Sequence, residues 1–171
     1  MTTSHEHYNI WKQNLHPIPR RYYNELLRHF GLQKLAPATP EKKLLDIGCG
    51  RGFFSVLMAK DGYTVTAVDL DPDLLDSFAG KARDLNITQM QGNLLTDTFE
   101  PAPLVVCQEV LEHLEDPAQA VKKLACCVES GGSLIVCVPY RENLESKMIT
   151  DPDTGKRYHK NGHLHSFDIV N

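Results

Sequence analysis

Five residues of this chain have types and a spacing that point to ligand binding: Asp46, Gly48, Gly50 and Gly52, then Asp69. The first four lie in LLDIGCGRG (44–52), where a run of strand character gives way to three glycines at alternate positions. A glycine-rich turn between a strand and a helix lets a ligand approach bare backbone, because no Cβ stands in the way. The acid bears on which ligand that is. Dinucleotide sites seat a pyrophosphate at the helix N-terminus, and Asp46 would repel it. A ligand carrying positive charge, such as one with an ammonium and a sulfonium, fits better. The spacing agrees, being G-x-G-x-G rather than the G-x-G-x-x-G of nicotinamide-binding folds. Asp69 closes the β-branched and aromatic run YTVTAV (63–68). It stands about 20 residues after the glycines, where an acid binds the two hydroxyls of a ribose.

A second group lies in CQEVLEHLEDP (107–117). Helical spacing over 109–113 puts Glu109, Glu112 and His113 on one face, as i, i+3 and i+4 neighbours. Two carboxylates and an imidazole so placed can ligate a divalent cation. His113 is also the first candidate for a general base, because imidazole titrates near neutral pH. His165 and His163, in GHLHSFDIV, come next, while His5, His7, His16 and His29 are expected at the surface. Tyr8 and Trp11 are candidates for a lid over a cationic ligand, and Tyr23 for ordinary helix packing. The five cysteines (Cys49, Cys107, Cys126, Cys127, Cys137) form no C-x-x-C pair. They are expected as buried free thiols of a reducing compartment.

The elements that must position these residues alternate in type. Strands are expected over 43–47, 64–68, 87–91, 104–107 and 133–138, and helices over 53–60, 72–83 and 117–128. That alternation implies a parallel sheet with helices on both faces, an α/β fold of three αβα layers in the Rossmann style. Upstream, IPRRYYNELLRHFG (18–31) reads as an amphipathic helix that Gly31 can end. The segment APATPEK (36–42), with two prolines, reads as a linker. Ligands of open parallel sheets bind beyond the carboxyl ends of the strands, and Asp46, Asp69, Asn93 and Gln108 all fall there.

Taken in order, LLDIGCGRG, VTAVDLDP, LVVCQEVLEHLEDP and SGGSLIVCVP resemble the motifs of class I S-adenosylmethionine (SAM)-dependent methyltransferases, over roughly residues 40–140. The resemblance implies SAM as cofactor, bound by Asp46, Gly48, Cys49, Gly50, Asp69 and Leu70. It further implies Asn93 and Leu94 at the adenine and Gln108 near the methionine part. A methyl group would then pass to an O or N atom of a small-molecule acceptor. The E-x-x-E-H arrangement is similar to the metal motif of small-RNA 3′-terminal 2′-O-methyltransferases, which leaves a metal-assisted RNA-end enzyme as an alternative. A SAM-fold protein that binds without catalysis is a second one. Members of the class have two further strands in an antiparallel hairpin after the fifth. Here a polar stretch, RENLESKMITDPDTGKRYHKNGHLHSFD (141–168), follows instead, so the terminal hairpin is expected to be missing.

Composition sets outer limits. At 171 residues, 42% hydrophobic and 23% charged, the chain suits one soluble domain with a sizeable core. It divides into an N-terminal helical or lid segment (1–39), a cofactor-binding core (40–140) and a polar C-terminal segment (141–171). No run of about 18 apolar residues exists to span a membrane, and no basic, apolar leader opens the chain. A cytoplasmic location is therefore expected. The net charge of −4 argues against a broad nucleic-acid surface. Residues 1–35 hold five of the 18 basic residues and only two of the 22 acids, so a basic segment adjoins an acidic body. With the hairpin missing, SLIVCVP would form an exposed sheet edge. Cover by the C-terminal segment or by a second copy, as a homodimer, is expected.

Overall fold

The computed structural model describes residues 19–169, and side chains from Asn24 onward. These residues fall into two compact units, 19–108 with 118–136, and 109–117 with 137–169.

The first unit is built on a five-stranded sheet. Its elements are α1 (Pro19–Leu35), β1 (Lys43–Ile47), α2 (Phe53–Lys60), β2 (Thr64–Asp69), α3 (Pro72–Asp76), α4 (Ala79–Arg83), β3 (Ile87–Gln91), β4 (Ala102–Gln108), α5 (Pro117–Cys126) and β5 (Val128–Cys137). The strand order is β3-β2-β1-β4-β5. The β1–β2, β1–β4 and β2–β3 pairs are parallel, with Asp46 opposite both Ala67 and Val106. The order reverses at β1, which places a topological switch point beyond the carboxyl ends of β1 and β4, where open α/β sheets take their ligands. The expected Rossmann-like α/β architecture is what forms. The central strands are buried on both faces: Leu44, Leu45, Val65, Ala67, Leu104, Val105 and Val106 are at most 2% exposed. This is why they read as nearly continuous apolar runs.

Several local expectations need correction. α1 does not stop at Gly31 but runs on to Leu35. Gly31 keeps ordinary helical backbone, and Leu32 just after it is buried. The helix expected over 72–83 is broken in two. Asp71 caps α3 through its side chain, which accepts from the Asp73 N–H at 2.9 Å, with Pro72 in the first turn. At the other end the Ser77 hydroxyl bonds back to the Leu74 carbonyl at 2.6 Å, and Phe78 leaves helical backbone. The break drives the Phe78 ring, 3% exposed, against Gly52. Among the cysteines, Cys107 and Cys127 are buried as expected, but Cys126 is exposed.

The second unit holds a short 3₁₀ turn (Leu111–His113), another over Glu145–Lys147, and a two-stranded antiparallel hairpin, β6 (Met148–Thr150) with β7 (Arg157–His159). The polar stretch after β5 therefore carries a hairpin, but one that forms its own small sheet rather than extending the five-stranded one. Among the described residues, no helix is long and apolar enough to cross a membrane.

Candidate active site

In the first unit the chain leaves β1 through Gly48, and the N–H groups of Gly48 and Cys49 both donate to the Val68 carbonyl, at 2.8 and 2.9 Å. The turn is thus tied to the carboxyl end of β2. Gly48, Gly50 and Gly52 have φ of 73°, 55° and 68°, the left-handed region that L side chains rarely enter. Gly52 is required twice over, because a Cβ there would lie 2.4 Å from the Phe78 ring. Gly50 differs: a Cβ would meet nothing within 4 Å, so its surroundings are open.

Asp69 joins the two motifs. Its Oδ2 accepts from the Gly50 N–H at 2.7 Å and its Oδ1 from the Asp71 N–H at 2.9 Å. Burial raises its pKa, and these backbone bonds work against that rise. Each carboxylate oxygen keeps a lone pair, so the group can accept further hydroxyl donors. Asp46 is 1% exposed and accepts from the Ser55 hydroxyl at 2.5 Å. Burial lifts its pKa to about 6, with the Ser55 bond and His29 opposing. Burial also pushes the Cys49 thiol up, with the Asp46 and Asp69 charges adding to it, so Cys49 is no nucleophile. Open space at Gly50, bare backbone and a carboxylate at the end of β2 together fit a nucleoside-bearing ligand.

At the switch point, Gln108 is 7% exposed, and its Oε1 accepts from His29 Nδ1 at 3.0 Å. The His29 ring stacks on Phe53 at 6.2 Å. His29 is therefore not a surface residue: it is 8% exposed, on the buried side of α1. Ser55 and His29, which hydrogen-bond the candidate site residues Asp46 and Gln108, are partners that sequence reasoning missed. Ser55 lies nine residues beyond Asp46, inside an apolar helix. After β3, the Asn93 side chain accepts from the Leu95 N–H at 2.9 Å, closing a local turn, and Leu94 is buried. Leu70 is 43% exposed.

In the second unit the expected helical face over 109–113 does not form. Glu109 has φ of 53°, and the 3₁₀ turn covers only 111–113. Glu109 instead lies by Cys137, whose thiol is 3.9 Å from Oε1. Glu112 and His113 come together with His163, their donor atoms within 4.8 Å of one another. Glu112 is fully buried. His113 Nδ1 donates to the Gly162 carbonyl at 3.3 Å. Burial and the neighbouring His163 pull the His113 pKa down to about 4, so it is neutral at pH 7 and a weak base. His165 Nε2 donates to the Leu114 carbonyl at 2.8 Å, which leaves Nδ1 as its basic nitrogen. Of the lid candidates, Tyr8 and Trp11 lie outside the described residues, as do His5, His7 and His16.

Comparison with known proteins agrees with this geometry. A methyltransferase-domain family model matches residues 19–170. The ubiquinone biosynthesis O-methyltransferase of Coxiella burnetii (strain Dugway 5J108-111) is 38% identical over 97 residues, covering 54% of this chain and 42% of that protein. The Vibrio parahaemolyticus protein of the same name is 34% identical over 119 residues, covering 67% and 50%. The chain thus spans half or less of the length of these curated relatives. Coclaurine N-methyltransferase, solved with N-methylheliamine and S-adenosylhomocysteine (SAH), shares the fold at a TM-score of 0.60 and 20% identity, over 66% of this chain and 34% of that one. With the motif order, the sheet order and the family match in agreement, the chain belongs to the class I SAM-dependent methyltransferases.

Proposed function

We propose that the protein transfers a methyl group from SAM to an oxygen or nitrogen of a small-molecule acceptor. The observation that carries this reading is the contact of Asp69 with the Gly50 N–H across the glycine turn. A carboxylate able to accept hydroxyl donors thus lies beside open backbone at one end of a sheet of this family, which supports the reading. The names of the Coxiella and Vibrio relatives favour oxygen over nitrogen.

When bound, SAM supplies a methyl group already activated by its sulfonium. The chain's own work is then mostly alignment and exclusion of water. Asp69 would accept the ribose hydroxyls, while Gly48, Cys49 and Gly50 present backbone. Leu70, Asn93 and Leu94 would wall the adenine side. Asp46, ionised once an ammonium stands nearby, would fix the amino-acid end together with Gln108, which His29 holds in place. An oxygen acceptor has a proton to lose. The role of base falls to His165, through Nδ1, ahead of His113, whose low pKa suits it poorly to accepting a proton near pH 7.

A radiolabelled methyl-transfer assay against a panel of phenols, catechols and amines tests this. Transfer to an oxygen acceptor that falls at least tenfold in His165→Ala supports it. SAM binding with no transfer to any acceptor class would instead favour a binding protein that keeps the fold without the catalysis.

A further inference from the structure

The amino-acid end of SAM is a zwitterion, and its two charges need opposite partners. Asp46 can accept from the ammonium. The α-carboxylate needs a donor, and the acids Asp46 and Asp69 can only repel it. At the end of β4, Gln108 can supply that donor. Cys107 lies opposite Ile47 in the parallel register, so Gln108 leaves β4 beside Gly48, the first glycine of the turn.

A glutamine amide is ambivalent. Its oxygen accepts, its nitrogen donates, and a half turn about the last side-chain bond exchanges the two. His29 removes the ambiguity. Its Nδ1 donates to Gln108 Oε1 at 3.0 Å, so the oxygen faces the ring and the NH₂ group faces away from it. Among the described residues, nothing accepts from that NH₂ group. The ring that makes this choice is itself held. Its Nε2 lies 4.0 Å from the Glu25 carboxylate, one turn earlier on α1. It stacks on Phe53 at 6.2 Å, with 23° between the planes, and stands 6.2 Å from Phe54. Phe53 opens α2 directly after Gly52. His29 thus ties α1 both to the end of β4 and to the helix that follows the glycine turn. It is 8% exposed and Gln108 7%. Burying two polar side chains against each other has a desolvation cost that an apolar residue on α1 would avoid, which favours a role beyond packing.

We propose that His29 is a positioning residue for the amino-acid end of the cofactor. By holding the Gln108 oxygen it turns the Gln108 NH₂ group into the donor for the α-carboxylate, so that α1 takes part in selecting ligands that carry one. The proposal rests on SAM as the cofactor. A purely structural His29 would steady the whole site, whereas a positioning one acts on one end of the ligand alone.

The test compares two ligands by calorimetry on the full chain. One is SAH. The other is 5′-deoxy-5′-methylthioadenosine, which keeps the adenosine and the thioether but has no amino-acid end. The parent should bind SAH more tightly by at least about tenfold. His29→Leu should weaken SAH about 5- to 30-fold and change the second ligand by less than about twofold. Gln108→Leu should lose at least as much SAH affinity as His29→Leu. The double variant should bind SAH no more weakly than Gln108→Leu alone, because His29 acts through Gln108. His29→Asn carries its amide where Nδ1 stands and should keep SAH affinity within about threefold of the parent. His29→Gln, whose amide stands nearer Nε2, should fall as His29→Leu does. Thermal unfolding checks that each variant is folded, and the Asn and Gln pair keeps the test decisive if leucine is not tolerated. Equal losses for both ligands in His29→Leu, additive losses in the double variant, or equal affinities in His29→Asn and His29→Gln would overturn the proposal and leave the cofactor assignment standing. So would equal affinity of the parent for the two ligands. No SAH binding by a folded parent would overturn both.

Discussion

Asp46 and Asp69 are both buried acids at strand ends, yet their surroundings give them different behaviour. Asp69 is held by two backbone N–H groups, whereas Asp46 has the Ser55 hydroxyl and a pKa near 6. The folded-state pKa of Asp46 lies above its ordinary value of 3.8. Its contribution to stability is therefore fully present below about pH 4 and is lost as the pH rises through about 6. Two pKa units correspond to about 3 kcal/mol. Asp46→Asn should remove that slope, leaving the variant near parent stability at pH 4 and more stable by up to about 3 kcal/mol at pH 7.5. Denaturant unfolding across that range checks it, and parallel stability curves for parent and variant would refute it. For an ammonium ligand the sign reverses. Binding needs the carboxylate, so parent affinity for SAH should fall as the pH drops below about 6.

At the scale of elements, the glycine turn is where α2, β2 and the α3–α4 break meet. Gly52 lies under the Phe78 ring and Gly50 in open space, though both are left-handed. Gly52→Ala combines a steric clash with backbone strain and should cost about 2–4 kcal/mol. Gly50→Ala has only the strain, about 1–2 kcal/mol, but puts a methyl group where a ligand would approach. The first should show mainly in Tm and the second mainly in SAH affinity; equal effects on both would undo the assignment. The strands were legible in the sequence because doubly buried parallel strands leave unbroken apolar runs, as in residues 64–68 and 104–107. What was not legible depends on contacts distant in sequence. His29 reads as the polar side of an amphipathic helix until Gln108, 79 residues away, arrives beside it. The cluster of Glu112 and His113 with His163 rests on a left-handed Glu109 and a chain return of about fifty residues. No helical periodicity encodes either.

At the scale of the molecule, the order β3-β2-β1-β4-β5 brings the ends of β1, β2 and β4 to one side, so the motifs at 46–52, 69–71 and 108 converge although they are spread over some sixty residues. That convergence was implied by the alternation of strands and helices, whereas the separate β6–β7 hairpin was hidden in a polar segment with no apolar periodicity. The cofactor is expected to lie against the glycine turn and the end of β2. Titration calorimetry of the parent and of Asp69→Asn with SAH tests this most directly. One-to-one micromolar binding by the parent is expected, weakened about 10- to 100-fold in the variant, the worth of charge-assisted hydrogen bonds of about 1–3 kcal/mol. Binding of the same strength in both proteins would contradict it, and so would no binding to a folded parent.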